Sequence, residues 1–144
     1  MTSALVVDTS VLVQAFVEDR YTTQARAMLL EAFNEQTDLH ILEFGLVECV
    51  NIFWKRVMFH GLQLSKAKVA VSNLQSTPLV IHSSDDYFLQ ALDIGVENHL
   101  PIYDSLYIVL ADRLNLQFIT DDAKQSSIAA KVGIALKPIT DFAG

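Results

Sequence analysis

Residues 101–124 constrain the fold of this chain more than any other stretch. Asp104 stands in the first turn of a predicted helix, and the residues that follow it are apolar on nearly every side. A helix of this kind is normally buried all round. Residues 116–119 then predict a short buried strand that ends at Thr120. The stretch therefore predicts a buried helix with a carboxylate in its first turn, followed by a buried strand that ends in a polar loop.

The remainder of the chain alternates between predicted strands and predicted helices. The further strands are expected at residues 4–7, 40–42, 79–82 and 134–136. The further helices are expected at residues 11–17, 23–33, 43–60, 65–76, 87–98 and 123–132. Such alternation implies βαβ units. We expect one three-layer α/β/α domain over residues 1–144, built on a mostly parallel central sheet.

Apolar spacing predicts which helix faces are buried. The helix at 43–60 is expected to bury a stripe formed by Leu46, Val50, Phe53 and Val57. The helix at 87–98 is expected to turn four residues to the core, namely Phe88, Ala91, Leu92 and Gly95. Glu48 lies away from the first stripe, on a polar strip that it shares with Asn51 and Lys55.

Composition limits the environment and the partners of the protein. Hydrophobic residues make up 51% of the chain, and 17 acidic against 10 basic residues give a net charge of −7. This balance argues against a broad DNA-binding surface. The single cysteine, Cys49, allows no internal disulfide and suits a reducing cytosol. We expect no signal peptide and no apolar run of about 18 residues, and hence a cytoplasmic protein without a membrane partner.

Four acidic positions stand out because of where they lie. Asp8 ends the first predicted strand, and Asp121 or Asp122 follows the strand of the core segment. Glu48 and Asp104 lie on helices expected to flank the sheet. Ligands of open α/β sheets collect beyond the carboxyl ends of the strands. Each acid also has an ordinary role open to it, as a helix cap, a partner of a helix dipole or a solvated surface residue.

A metal site is the use that best explains these acids together. If the carboxylates converge, each raises the pKa of its neighbours, and the cluster is costly unless a cation fills it. Oxygen ligands select hard ions, and a phosphate-bearing substrate normally shares the coordination sphere of Mg²⁺ or Mn²⁺. The chain has neither a G-x-G-x-x-G motif nor a P-loop, so a phosphate would be held mainly by metal. The pattern favours metal-assisted attack of water on a phosphodiester.

Four short segments carry a resemblance to a known family: VVDTS at residues 6–10, LVECVN at 46–51, YDSL at 103–106 and ITDD at 119–122. In this order they resemble the PIN-domain ribonucleases, and among these the small VapC-like toxins of toxin–antitoxin pairs. The resemblance covers nearly the whole chain. It implies an α/β/α fold, dependence on Mg²⁺ or Mn²⁺, and endonucleolytic cleavage of RNA. It also implies a homodimer and an antitoxin whose tail blocks the acidic site.

The resemblance also assigns roles to individual residues. Ser10 and Thr120 match hydroxyl positions that help to order water or phosphate, and Asp121 is a spacer within the last motif. Glu48 would complete the metal shell or orient the attacking water, while the other three acids would hold the metal. The four catalytic acids implied by the resemblance are Asp8, Glu48, Asp104 and Asp122.

Two other functions remain open on the sequence. A PIN-like scaffold could bind metal or RNA without cleaving it. A receiver-type signalling domain also has an acidic Mg²⁺ pocket, but it needs an acidic pair after its first strand, where this chain has Asp8 alone. Lys55, two turns beyond Glu48, either contacts the RNA backbone or is a solvated lysine.

Overall fold

Four parallel strands form one sheet in the computed structural model, which describes residues 2–143. They are β1 (Ser3–Val7), β2 (Thr37–Leu42), β3 (Val80–His82) and β4 (Gln117–Ile119). The strands lie in the order β3, β2, β1, β4, so that β1 and β4 are neighbours although they are far apart in the chain. Each pairing is parallel, which confirms the predicted sheet.

Helices join the strands and lie on both faces of the sheet. In chain order they are α1 (Thr9–Leu12), α2 (Thr22–Phe33), α3 (Gly45–Phe59), α4 (Leu64–Gln75), α5 (Phe88–Asn98), α6 (Ile102–Leu114) and α7 (Ala123–Lys131). Short 3-10 turns stand at Val13–Ala15, Asp85–Tyr87 and Ile139–Asp141. Among the described helices, none has the length and apolar character needed to cross a membrane.

The sheet buries a separate apolar core on each face. Because alternate strand residues point to opposite faces, Leu5 and Val7 enter one core while Val6 enters the other. The first core packs α1 to α4 against the sheet, and the second packs α5, α6 and α7. Residues 105–111 of α6 are all buried, as the apolar run predicts. The arrangement confirms the three-layer α/β/α fold.

The predicted strand at residues 134–136 is wrong. There Leu136 forms an isolated parallel bridge with Phe118, and the Phe118 amide donates to the carbonyl of Ala135 at 2.9 Å. β4 is only three residues long, and Pro138, which has no N–H to donate, follows soon after. The segment therefore contacts the edge of β4 through one bridge and does not add a strand.

The predicted core stripe of α3 is only partly right. Phe53 is buried, but Val50 is 41% exposed, and the buried residues of the preceding turns are Gly45 and Cys49. The helix is therefore rotated by about one residue from the predicted orientation. Glu48 is half-buried, while Asn51 and Lys55, the other residues of the predicted polar strip, are exposed.

The predicted core face of α5 is right for its small residues and wrong for its large ones. Ala91 and Gly95 are buried, whereas Phe88 and Leu92 are 53% and 52% exposed. A Cβ atom at Gly95 would lie 2.8 Å from the carbonyl oxygen of Leu100, so the backbone of α5 closely approaches the segment before α6. Small residues make this close contact, and the large apolar residues remain on the outside.

Candidate active site

The carboxyl ends of β1 and β4 lie side by side. Val7 pairs with Ile119, and the amide of Asp8 donates to the carbonyl of Ile119 at 3.0 Å. Asp8 and Thr120, the residues that follow these strands, are therefore neighbours in space. The parallel pairing of two strands more than 100 residues apart creates this part of the site.

Asp8 is a buried helix cap. Its Oδ2 accepts a hydrogen bond from the amide of Ser10 at 3.2 Å, which caps α1. The residue is 6% exposed, and burial raises the pKa of Asp8 while hydrogen bonds from Ser10 oppose the shift. A carboxylate oxygen has two lone pairs, so this cap does not prevent the carboxylate from serving as a ligand as well.

Glu48 is oriented by a chain of hydroxyl groups. Thr9 Oγ1 donates to Glu48 Oε1 at 3.0 Å, and this bond lowers the pKa of Glu48. The Tyr107 hydroxyl lies 3.4 Å from Thr9 Oγ1. A Cβ atom at Gly45 would lie 2.3 Å from the tyrosine oxygen, so glycine is needed where α3 begins.

Glu48 and Asp104 both respond to neighbouring negative charge. Burial, together with the charges of Asp8 and Asp104, raises the pKa of Glu48 to about 7. Burial is the main reason why the pKa of Asp104 is raised to about 6, and the negative charges of Asp8 and Asp122 add to this increase. The positive charge of Lys124 opposes it. These shifts are those expected of carboxylates gathered in one partly desolvated place.

The predicted acids line one cavity of about 290 Å³, which we call the acidic cavity. Its lining also includes the polar residues Asn51 and Lys55 of α3. Across residues 2–143, no three His, Cys, Asp or Glu side chains form a group that could hold a metal ion as it stands. The acids therefore share a cavity without forming a finished ligand cluster. The full lining is Asp8, Thr9, Ser10, Glu48, Asn51, Ile52, Lys55, Asp104 and Asp122.

The two acids of the last motif point in different directions. Asp122 lines the acidic cavity, and its Oδ1 accepts from the amide of Gln125 at 2.9 Å to cap α7. Asp121 does not line the cavity, and its Oδ2 accepts from Gln14 Nε2 at 2.8 Å. Thr120 stands behind the cavity, with its Oγ1 3.3 Å from Asp8 Oδ2.

Sequence reasoning missed the buried residues that hold these acids in place. Thr9, Gln14 and Gln125 are all buried, and each is hydrogen-bonded to an acidic residue. Gln125 follows the cap Asp122 by three residues, and this D-x-x-Q spacing is close to the capping-box pattern. That signal could have identified Gln125. Nothing in the sequence alone distinguishes Thr9 or Gln14.

Known structures share this fold at low sequence identity. PAE2754 from Pyrobaculum aerophilum is 20% identical, with a TM-score of 0.73 over 98% of this chain and 94% of its own. VapC20 from Mycobacterium tuberculosis, a toxin that cleaves the sarcin–ricin loop, is 18% identical, with a TM-score of 0.65 over 91% and 96%. VapBC2 from Rickettsia felis, bound to a promoter DNA fragment, is 18% identical, with a TM-score of 0.64 over 94% and 98%.

The sequence comparisons give a clear family assignment. No curated protein sequence matches the chain. The sequence model of the PIN domain, however, matches residues 5–131, which include each of the acids that line the acidic cavity. The chain therefore belongs to the PIN-domain family.

Proposed function

We propose that this chain is a metal-dependent endoribonuclease and the toxin of a type II toxin–antitoxin pair. The observation that carries the proposal is the convergence of four carboxylates on the acidic cavity, at the carboxyl ends of two adjacent parallel strands. Membership of the PIN-domain family supports nuclease chemistry. The similarity in fold to VapC20, a toxin that cleaves the sarcin–ricin loop, supports the choice of RNA and of a toxin.

The donor set suits Mg²⁺ or Mn²⁺. The acidic side chains of the cavity offer carboxylate oxygens, which hard divalent cations prefer. The raised pKa values of Glu48 and Asp104 show that it is unfavourable to bury these negative charges close together. A bound cation would offset this repulsion. Mg²⁺ commonly keeps several waters and binds through one or two carboxylates, so a finished cluster of protein ligands is not required. Asp8, Asp104 and Asp122 would hold the cation.

Glu48 is the best candidate for handling a proton during hydrolysis. Its Oε1 is occupied by Thr9, which leaves Oε2 for the cavity, so Glu48 can accept a proton there without losing this hydrogen bond. A bound divalent cation would supply Lewis-acid stabilisation of the phosphoryl oxygens and a lowered pKa for the attacking water. Glu48 Oε2 would accept the proton of that water. Asp8 and Asp122, each fixed by its cap, would keep the cavity in shape.

RNA would be held by few contacts. Removing the four cavity acids from the 17 acidic residues still leaves 13, against 10 basic residues, so the general attraction for phosphate is weak. Lys55 and Asn51 line the acidic cavity and are suited to a phosphate beside the cleaved bond. We therefore favour a contact between Lys55 and the RNA backbone.

An antitoxin helix would occupy the groove between α3 and α4. This groove has a volume of about 280 Å³, and its lining includes Trp54 and Leu64, which are 52% and 58% exposed. α3 contributes Val50 to the groove and the adjacent Asn51 to the acidic cavity, so a segment in the groove could extend a basic residue to the acids. The fold similarity to a toxin–antitoxin complex from Klebsiella pneumoniae, with a TM-score of 0.50 at 22% identity, supports such a partner.

A second copy of the chain would cover the outer face of α5. Leu89, Leu92 and Val96 follow one another at helical spacing, and Leu89 and Val96 are 83% and 71% exposed. Exposed apolar faces of this kind mark protein interfaces. Val47 and Tyr103, which are 70% and 60% exposed, form a separate apolar surface beside Glu48.

A nuclease assay separates this proposal from the alternatives. Cleavage of RNA that requires Mn²⁺ and stops with EDTA supports the nuclease. Binding of RNA or Mn²⁺ without cleavage would instead identify a scaffold. Phosphorylation of Asp8 by acetyl phosphate would identify a receiver-type domain, for which the PIN-domain match gives no support.

A further inference from the structure

Gln125 is a fully buried residue that links both sides of the acidic cavity. Its Nε2 donates to the carbonyl oxygen of Asp104 at 3.1 Å, and its Oε1 accepts from Thr120 Oγ1 at 2.7 Å. Its backbone amide donates to Asp122 Oδ1 at 2.9 Å. One residue of α7 therefore connects the first turn of α6 to the end of β4.

The bond to Asp104 determines which way the Gln125 amide points. A carbonyl oxygen only accepts hydrogen bonds, so the group that faces it must be the NH₂ of the glutamine. The oxygen of the amide then faces Thr120. Because this oxygen only accepts, the Thr120 hydroxyl must donate its proton to Gln125.

This donation directs the Thr120 proton away from Asp8. A threonine hydroxyl has a single proton, so Thr120 Oγ1 cannot donate to Asp8 Oδ2, 3.3 Å away, while it donates to Gln125. Its remaining capacity is to accept, and it does so from the amide of Asp122 at 3.1 Å.

Ser10 gives the hydroxyl chain the same direction. Ser10 Oγ accepts from the amide of Asp121 at 3.0 Å and lies 3.3 Å from Thr120 Oγ1. Since Thr120 gives its proton to Gln125, Thr120 Oγ1 can only accept in its contact with Ser10 Oγ. The bonds run from the Asp121 amide through Ser10 and Thr120 to Gln125, so the Thr120 proton is not directed at Asp8.

We propose that Gln125 is a positioning residue for a divalent cation at the acidic cavity. Its side chain fixes the first turn of α6 at Asp104 and keeps Asp8 Oδ2 free of the Thr120 proton. A carboxylate oxygen that accepts fewer hydrogen bonds retains more capacity for a cation. The inference rests on the proposed function, because that function supplies the cation.

The test is a calorimetric titration of the metal-free protein with Mn²⁺. Gln125→Met keeps an unbranched buried side chain but removes both amide contacts, and we expect its Kd for Mn²⁺ to be roughly tenfold higher than that of the wild type. Ile128→Val is the matched control, because Ile128 is buried on the same helix and has no polar side-chain atom. Its Kd for Mn²⁺ should equal that of the wild type.

The titrations distinguish failure of the proposed function from failure of the positioning role of Gln125. A wild-type protein that does not bind Mn²⁺ contradicts the proposed function itself. Equal Mn²⁺ affinity in the wild type and Gln125→Met overturns the positioning role, and so does an equal loss in Gln125→Met and Ile128→Val. If Gln125→Met does not fold, Gln125→Asn keeps the amide but is too short to span both contacts, and the same tenfold loss is expected. Failure of both variants to fold would overturn the positioning role in favour of a purely structural one.

Discussion

Thr9 Oγ1 donates a hydrogen bond to Glu48 Oε1 over 3.0 Å, although the two residues are 39 positions apart in the chain. Thr9 is the first residue of α1, directly after the cap Asp8, and Glu48 belongs to the first turn of α3. The bond therefore connects two helices that both line the acidic cavity. It also selects the carboxylate oxygen that remains available for chemistry.

Removing the Thr9 hydroxyl should slow RNA cleavage. Thr9→Val keeps the branched shape of the side chain but leaves Glu48 without its buried donor, and we expect a roughly tenfold lower cleavage rate. Thr9→Ser retains the hydroxyl and should stay close to the wild-type rate. Single-turnover cleavage of a labelled RNA measures both. A wild-type rate in Thr9→Val would mean that the hydroxyl does not position Glu48.

The metal-free protein should lose stability as the pH rises. The pKa of Glu48 is raised from 4.5 to about 7, and that of Asp104 from 3.8 to about 6. Between the unfolded and folded pKa values the folded state binds more protons, so the free energy of unfolding falls as the pH rises between about 4 and 7. Urea unfolding at a series of pH values measures this slope.

Glu48→Gln provides the control for this pH dependence. Its side chain does not titrate, so the decline in the free energy of unfolding should be shallower than in the wild type. Addition of Mn²⁺ at pH 7 should restore stability to the wild type by binding the folded state. An identical slope in the two proteins would show that Glu48 does not titrate as its surroundings imply.

Lys55 should contribute one phosphate contact to RNA binding. With Mn²⁺ present and Glu48→Gln introduced into every protein compared to prevent cleavage, Lys55→Gln should weaken RNA binding and lower the dependence of log K on log salt by about 1. Lys68→Gln removes the same charge from the apolar groove and should have a smaller effect. Fluorescence anisotropy with labelled RNA at several salt concentrations gives both values. Equal effects of the two substitutions would mean that Lys55 acts only through the net charge of the protein and makes no specific phosphate contact.

The outer face of α5 should hold the homodimer together. Val96 is 71% exposed, and Val96→Glu would place a charge in the proposed interface. Light scattering should show a fall from twice 16.0 kDa to 16.0 kDa. Val69→Glu changes a similarly exposed valine on α4, at 58%, and should remain dimeric. A wild type that is already monomeric, or an unaffected Val96→Glu, contradicts this interface.

The core of this fold could be read from the sequence because its signals are local. The alternation of strands and helices predicted a parallel sheet, and the apolar run after Asp104 predicted the buried helix α6. The same reasoning failed where burial depends on what covers a helix. Val50 and Leu92 are as apolar as core residues, but they are exposed on surfaces suited to partners.

The finer structure of the site depends on contacts that the sequence does not reveal. Asp121 and Asp122 are adjacent and chemically identical, and they differ because Gln14, 107 positions away, binds Asp121. Glu48 lies with Asn51 and Lys55 as predicted, but its hydrogen bond to Thr9, 39 positions away, could not be predicted from local spacing. Such choices are made by tertiary packing, which local patterns do not encode.

The most direct test of the account is the cleavage of a labelled RNA by the wild type and by Asp8→Asn, each with Mn²⁺ and with EDTA. The substitution is nearly isosteric and replaces the buried carboxylate at the end of β1 with a neutral amide. We expect cleavage by the wild type with Mn²⁺ alone, and none by Asp8→Asn under either condition. Full activity of Asp8→Asn, or wild-type cleavage that persists in EDTA, would contradict it.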